Sequence, residues 1–149
     1  MPNDAMQALL AGLNEDLAHE YAAIIQYRTY ASAVTGPYRQ ELRAFFSTEI
    51  PDELGHAALL ADKIAALGGR LAVQSAEVKY TDDPREMLAN SLADEEATLT
   101  RYIERRKQAE DAGEFGLAND IDDIIADESK HRDELRLMLK RCPESGQRG

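Results

Sequence analysis

Glu49-Ile50-Pro51-Asp52-Glu53-Leu54-Gly55-His56 interrupts an apolar seam. Leu42 and Phe46 lead into it, and Leu60, Ile64 and Leu67 lead out, at steps of three and four residues. That spacing predicts one helix over residues 38–67, its buried stripe broken by charge in the middle. Three further segments follow the same rule. Leu13, Leu17, Glu20, Ile24, Tyr27, Ala31 and Val34 form a seam within 4–34. Leu88, Leu92, Glu95, Leu99 and Tyr102 form one within 84–112. Leu117, Ile121, Ile124, Glu128, His131, Leu135 and Met138 form the last, within 115–141. Every seam carries charge in its middle, and an all-α chain of four long helices is expected.

The breaks between helices set the topology. Gly36-Pro37, Gly68-Gly69, Pro84 and Gly113 with Gly116 punctuate the chain. Gly36 and Gly68 suit the left-handed residue that ends a helix, and Pro37 and Pro84 suit a first helical position. Asp83 with Glu86 three residues on reads as a variant capping box. The first and third links are short and join antiparallel neighbours. Residues 68–83 lack helical periodicity and, extended, span about 50 Å at roughly 3.3 Å per residue. A 28-residue helix is only about 42 Å long at about 1.5 Å per residue. The segment therefore returns along the whole bundle, leaving helices two and three parallel: hairpins 1-2 and 3-4 joined by one long crossover.

The charged interruptions fall at one level. Glu20 lies 16 residues before Gly36 and Glu53 lies 17 after it; Glu95 lies 18 before Gly113 and Glu128 lies 15 after it. At about 1.5 Å per residue the four carboxylates share roughly one helical turn of depth. His56 and His131 each follow a Glu by three, on the same helix face. A single Glu on an apolar stripe is usually an edge position, and a single ExxH on an acidic helix is usually a solvated face. Two ExxH pairs with two level-matched glutamates, one set per helix, form another kind of pattern. An ionised carboxylate costs on the order of several kcal/mol to remove from water, and like charges at close range add to that. No Lys or Arg sits on the four seams near this level. Two divalent cations would neutralise four carboxylates. Carboxylate and imidazole without thiolate suit iron, manganese or zinc.

Composition narrows the classes. The 149 residues suit one domain over 1–149, and 17 Lys plus Arg against 28 Asp plus Glu leave a net charge of −11. A field of that sign repels nucleic-acid phosphates and anionic lipid. The lone Cys142 excludes a disulfide framework or a cysteine-rich metal site. No stretch reaches the roughly 20 apolar residues of a membrane span. With no basic, apolar leader at Met1-Pro2-Asn3-Asp4, a cytoplasmic location is expected.

The ligand inventory is the one characteristic of ferritin-like di-iron carboxylate proteins, and residues 4–141 resemble that superfamily. Within it Leu13-Asn14-Glu15, Glu20-Tyr21-Ala22-Ala23-Ile24-Ile25-Gln26-Tyr27, Asp52-Glu53-Leu54-Gly55-His56 and Asp127-Glu128-Ser129-Lys130-His131 look like bacterioferritin. The resemblance implies a ferritin-like four-helix bundle. Its Glu20 and Glu95 would be terminal ligands, Glu53 and Glu128 would bridge two irons, and His56 and His131 would each hold one. It also implies a ferroxidase that oxidises Fe(II) with O₂ or H₂O₂ for iron storage or detoxification, in a homo-oligomer. Tyr27 matches a tyrosine of that family that hydrogen-bonds a ligand or supplies an electron. Leu54 stands where bacterioferritin has its haem-ligating methionine, so no haem is expected. The polar tail from Pro143 is too short for the family's fifth helix, which puts a hollow cage in doubt.

Other readings stay open on the residues alone. A rubrerythrin-like di-iron or di-manganese peroxidase or catalase fits the same ligands, and a metal-free helical scaffold with protonated acids is the alternative of another class. Tyr102, seven residues after Glu95 as Tyr27 is after Glu20, places its ring on the opposite side of the metals; both are otherwise core aromatics. Glu49 is either an acid of the site or a solvated acid at the bundle end. Pro51 removes the bond to Ser47 and should kink the second helix. His19 is expected at the surface, and Cys142 has no assigned role.

Overall fold

A computed structural model describes residues 3–141. Cys142 and the tail from Pro143, with the expectations attached to them, lie outside these residues. The described chain is helical, without strands: α1 (Asp4–Ala33), α2 (Arg39–Ala66), α3 (Pro84–Asp111) and α4 (Phe115–Arg141). No described helix is long and apolar enough to cross a membrane.

Local chemistry sets the ends. The Asn3 side chain accepts from Met6 N at 2.8 Å and caps α1. Asp83 accepts from Glu86 N at 3.3 Å, with Pro84 in the first turn of α3. The Glu86 carboxylate takes a hydrogen bond from the Thr81 hydroxyl at 2.6 Å, which completes the expected cap in altered form. Gly36 and Gly68 adopt φ of +97° and +79°, as the sequence requires of them. The expectation for Pro37 is corrected: it lies in the turn before Tyr38, and α2 begins at Arg39. Pro51 sits inside α2, which continues through it as one helix.

The crossover is hung along α1, which fixes the direction of α3. Asn14 Nδ2 donates to Arg70 O at 2.7 Å and Asn14 Oδ1 accepts from Ala72 N at 2.8 Å. Ala76 N donates to Ala18 O at 2.9 Å. Lys79 N donates to Gln26 Oε1 at 2.9 Å, and Tyr30 Oη donates to Lys79 O at 2.6 Å. Positions 70 to 79 thus climb α1 from residue 14 to residue 30. Helix α3 starts beside Tyr30, where Asn90 Nδ2 reaches its hydroxyl at 3.2 Å, and descends antiparallel to α1. Helices α2 and α3 are therefore parallel. The expected topology holds.

The apolar core forms two separate slabs. Leu9, Leu13, Leu17, Leu60, Ile64, Tyr102 and Ile121 anchor one, and Tyr27, Tyr30, Phe46, Met87, Leu88 and Leu135 anchor the other. Each fully buried Leu or Phe among them contributes about 1.5–3 kcal/mol. The polar residues of the four seams lie in the layer between the slabs.

One buried charge pair lies outside the four seams of the sequence pattern. Arg105 Nε and Nη2 donate to Asp16 at 2.7 and 3.2 Å, and Nη1 donates to Gln108 at 2.6 Å. Both partners are buried. Gly12 makes room: a Cβ there would lie 1.8 Å from Arg105 Nη1. Burial pushes the Asp16 carboxyl up by more than Arg105 and Arg101 pull it down. The pair is thus no great source of stability, but breaking it strands a buried charge. Arg105→Met is expected to cost about 3–5 kcal/mol, with much of the loss recovered when Asp16→Leu is added. Urea unfolding checks both, and a loss below about 1 kcal/mol for the single variant would contradict the pairing.

Candidate metal centre

The six seam residues meet where the spacing places them. Glu20 (α1), Glu53 and His56 (α2), Glu95 (α3), and Glu128 and His131 (α4) are all buried, none more than 9% exposed. Their donor atoms form two groups that share Glu53. Glu20, Glu53, His56 and Glu128 each place one atom within 4.8 Å of the others, and so do Glu49, Glu53, Glu95 and His131. His56 Nδ1 lies 3.1 Å from Glu128 Oε1 and 3.7 Å from Glu20 Oε1. His131 Nδ1 lies 3.8 Å from both Glu53 and Glu95 and 3.9 Å from Glu128. Glu53 and Glu128 thus stand between the two groups.

The outer nitrogen of each imidazole is tied down across the bundle. His56 Nε2 meets Asp127 Oδ2 at 3.2 Å, and His131 Nε2 meets Asp52 Oδ2 at 3.1 Å. An Nε2–H donated to aspartate leaves the Nδ1 lone pair facing inward, the orientation that ligating histidines take. Asp52 and Asp127 are absent from the sequence-derived site, although both pentads carry an Asp directly before the Glu.

Among the described residues, buried side-chain atoms without a hydrogen-bond partner concentrate here. They include Glu20 Oε2, Glu53 Oε1, Glu95 Oε2, Glu128 Oε1 and both histidine Nδ1 atoms. Buried polar atoms are seldom left unmatched, and converging carboxylate and imidazole lone pairs are a cation's donor set. Without a cation, protons must do the neutralising. Burial pushes His56 down, but the Glu128 and Glu20 carboxylates more than offset it and raise it to about 11. His131 is likewise raised to about 11, against its burial, by Glu49 and Glu95. Burial and neighbouring carboxylates lift Glu53 and Glu128 well above the ordinary range. Glu20 moves down: burial raises it, but the neighbouring Glu53 carboxyl, the His56 imidazole and the hydrogen bond from Tyr102 prevail.

Two tyrosines close the layer above and below. Tyr27 Oη donates to Glu95 Oε1 at 3.0 Å, and Tyr102 Oη donates to Glu20 Oε1 at 2.6 Å. They belong to different apolar slabs, as opposed helix directions require. Burial and the surrounding carboxylates hold both phenols well above the usual tyrosine range, so both remain donors.

A cavity of about 220 Å³ touches Glu20, Glu53, Glu95 and Glu128 and extends to Lys79 and Asp94. The last two are each 44% exposed, so the space runs from the carboxylates toward solvent. The crossover is pinned at this end: Lys79 Nζ meets Asp94 Oδ1 at 2.8 Å, and Gln26 Nε2 donates to Asp94 Oδ2 at 2.7 Å. His19 lines the same cavity and is half-buried, which corrects its expected surface position. Glu49, 5% exposed, is no solvated end-of-bundle acid.

Comparison with known proteins agrees with this geometry. The model of the family described as "Ferritin-like domain" matches residues 10–145. The bacterioferritin of Rhodobacter capsulatus is 28% identical over 138 residues, covering 92% of this chain and 86% of that protein. A ferritin-like diiron-carboxylate protein from Bacillus anthracis superimposes with a TM-score of 0.90 at 44% identity, over 92% of this chain and 99% of that one. A Dps protein from Bacillus brevis shares the fold, with a TM-score of 0.87 at 21% identity over 93% and 99%. With its four-helix bundle and its carboxylate–histidine groups at one level, the chain belongs to the ferritin-like family.

Proposed function

We propose that this chain is a ferroxidase whose substrate is Fe(II), held in pairs by Glu20, Glu53, His56, Glu95, Glu128 and His131. The observation that carries this reading is the pair of buried donor groups joined through Glu53, with their lone pairs unmatched. Glu20 and His56 serve one ion, Glu95 and His131 the other, and Glu53 and Glu128 bridge. Bridging carboxylates set two metals roughly 3.5–4 Å apart. At that spacing each Fe(II) gives one electron to the same oxidant. With O₂ two protons are taken up and H₂O₂ leaves; with H₂O₂ two protons are taken up and two waters leave. Tyr27 and Tyr102 hold the terminal carboxylates in place through their hydroxyl protons. The cavity between α1 and α3 supplies a path for an ion or a small oxidant. The protein's role is iron storage or detoxification.

The test is oxygen uptake on adding Fe(II). The expected result is oxidation far faster than in buffer, starting near two Fe(II) for each O₂ while peroxide is released and rising toward four as that peroxide oxidises a second pair. Oxidation at the buffer rate would overturn the reading. We include a homo-oligomer in the proposal, as the resemblance to bacterioferritin suggests. A native mass equal to one chain would remove that part.

A further inference from the structure

We propose that Glu49 is a seventh ligand, serving the metal position on the His131 side alone and making the two positions unequal. This rests on the metal-centre reading above. The site has a near two-fold design: Glu20 pairs with Glu95, Glu53 with Glu128, His56 with His131, Asp52 with Asp127, and Tyr27 with Tyr102. Glu49 has no counterpart. It stands four residues before Glu53, and four residues before Glu128 the chain has Ile124, buried in an apolar slab. At this step of the helix α2 carries a carboxylate where α4 carries hydrocarbon.

The geometry of Glu49 is that of a ligand. It is 5% exposed, and its Oε2 has no hydrogen-bond partner. That oxygen lies 2.7 Å from His131 Nδ1, itself without a hydrogen-bond partner. With His131 protonated the two atoms are an ion pair; once the imidazole is neutral, both are left as lone-pair donors within one group of four. Glu49 completes the group with Glu53, Glu95 and His131, and Glu128 lies 3.9 Å from the same imidazole nitrogen. Four protein groups serve the His56 side and five serve the His131 side.

An added carboxylate brings negative charge and a further hard oxygen, both of which tighten the hold on a divalent cation. The first ion therefore loads on the His131 side. The His56 side keeps the weaker ion and more coordination space.

Anaerobic titration with Co(II), followed by calorimetry and by the cobalt ligand-field spectrum, tests this without any turnover. Wild type is expected to bind two ions in steps separated by about tenfold or more. Glu49→Gln keeps the size and removes the charge; it should weaken the tight step by about tenfold while moving the other by less than about twofold. With the two steps brought together, the first cobalt added should give a mixture of the two position spectra, and Glu49→Asp should restore part of the affinity. Unchanged steps in Glu49→Gln, or equal weakening of both, would overturn the role of Glu49 and leave the two-ion centre standing. A wild type that fails to bind two ions would overturn both.

Discussion

Glu53→Ala is expected to abolish oxygen-dependent Fe(II) oxidation while leaving the helices in place. Glu53 is the one side chain that belongs to both donor groups, so its removal takes a ligand from each position at once. A residue that merely orients a metal ligand is worth about 10–100-fold, so loss of a bridging ligand should exceed about 100-fold in rate. The fold should tolerate the change. Burial and neighbouring carboxylates already hold the Glu53 carboxyl far up, so the fold carries it at a cost. Ala is a better helix former, and its removal of one acid relieves repulsion among Glu20, Glu95 and Glu128. Far-ultraviolet circular dichroism should match wild type, with the oxidation trace flat above buffer. Oxidation at the wild-type rate would refute the bridging role, and collapsed helicity would show that Glu53 acts on folding instead. Glu20→Ala, by contrast, strips only the His56 side and should leave one binding step intact.

Much of this centre is legible in the chain because helices convert sequence distance into depth and facing. Counting residues from Gly36 and Gly113 places Glu20, Glu53, Glu95 and Glu128 at one level, and the three-residue step puts His56 and His131 beside them. What counting does not give is the rotation of one helix against its neighbour. Glu49 lies on the α2 seam one turn from Glu53, so its register alone fits a ligand and a bundle-end acid equally. Only the packed bundle shows it 2.7 Å from His131. The crossed pairing of His56 with Asp127, rather than with Asp52 on its own helix, depends on how α2 and α4 face each other. The α3 seam continues past Tyr102 through Arg105 to buried Ala109, but a charged residue in a stripe hides the continuation. Asp16, one turn before Glu20, is hidden in the same way. His19 lies beside the place where the crossover bonds to Ala18 and lines the cavity there, a tertiary setting without periodic signal.

Saturating Mn(II), or Fe(II) under anaerobic conditions, is expected to raise the melting temperature by about 10 °C for each ion bound. On the proposed reading the ions bind only where all four helices converge, and the unfolded chain has no such site. At about a thousand times the dissociation constant, each ion then stabilises the folded state by about 4 kcal/mol. For a domain of this size about 1 kcal/mol corresponds to roughly 2–4 °C. The shift should depend on pH, with a sign fixed by the histidines. Their folded values of about 11, above the ordinary 6.5, favour the protonated folded chain. That contribution is complete below 6.5 and is lost as the pH rises through about 11. A cation needs the neutral imidazoles and ionised carboxylates, so at neutral pH it must expel protons that stabilise the cation-free protein. The metal-induced rise should therefore shrink toward pH 5.5 and grow toward pH 8.5, within the roughly one proton per histidine that binding releases. Differential scanning calorimetry with and without Mn(II) at both pH values measures it. An unshifted transition at saturating metal would remove the cation from the buried layer, and an equal shift at both pH values would show that the histidines are not among its ligands.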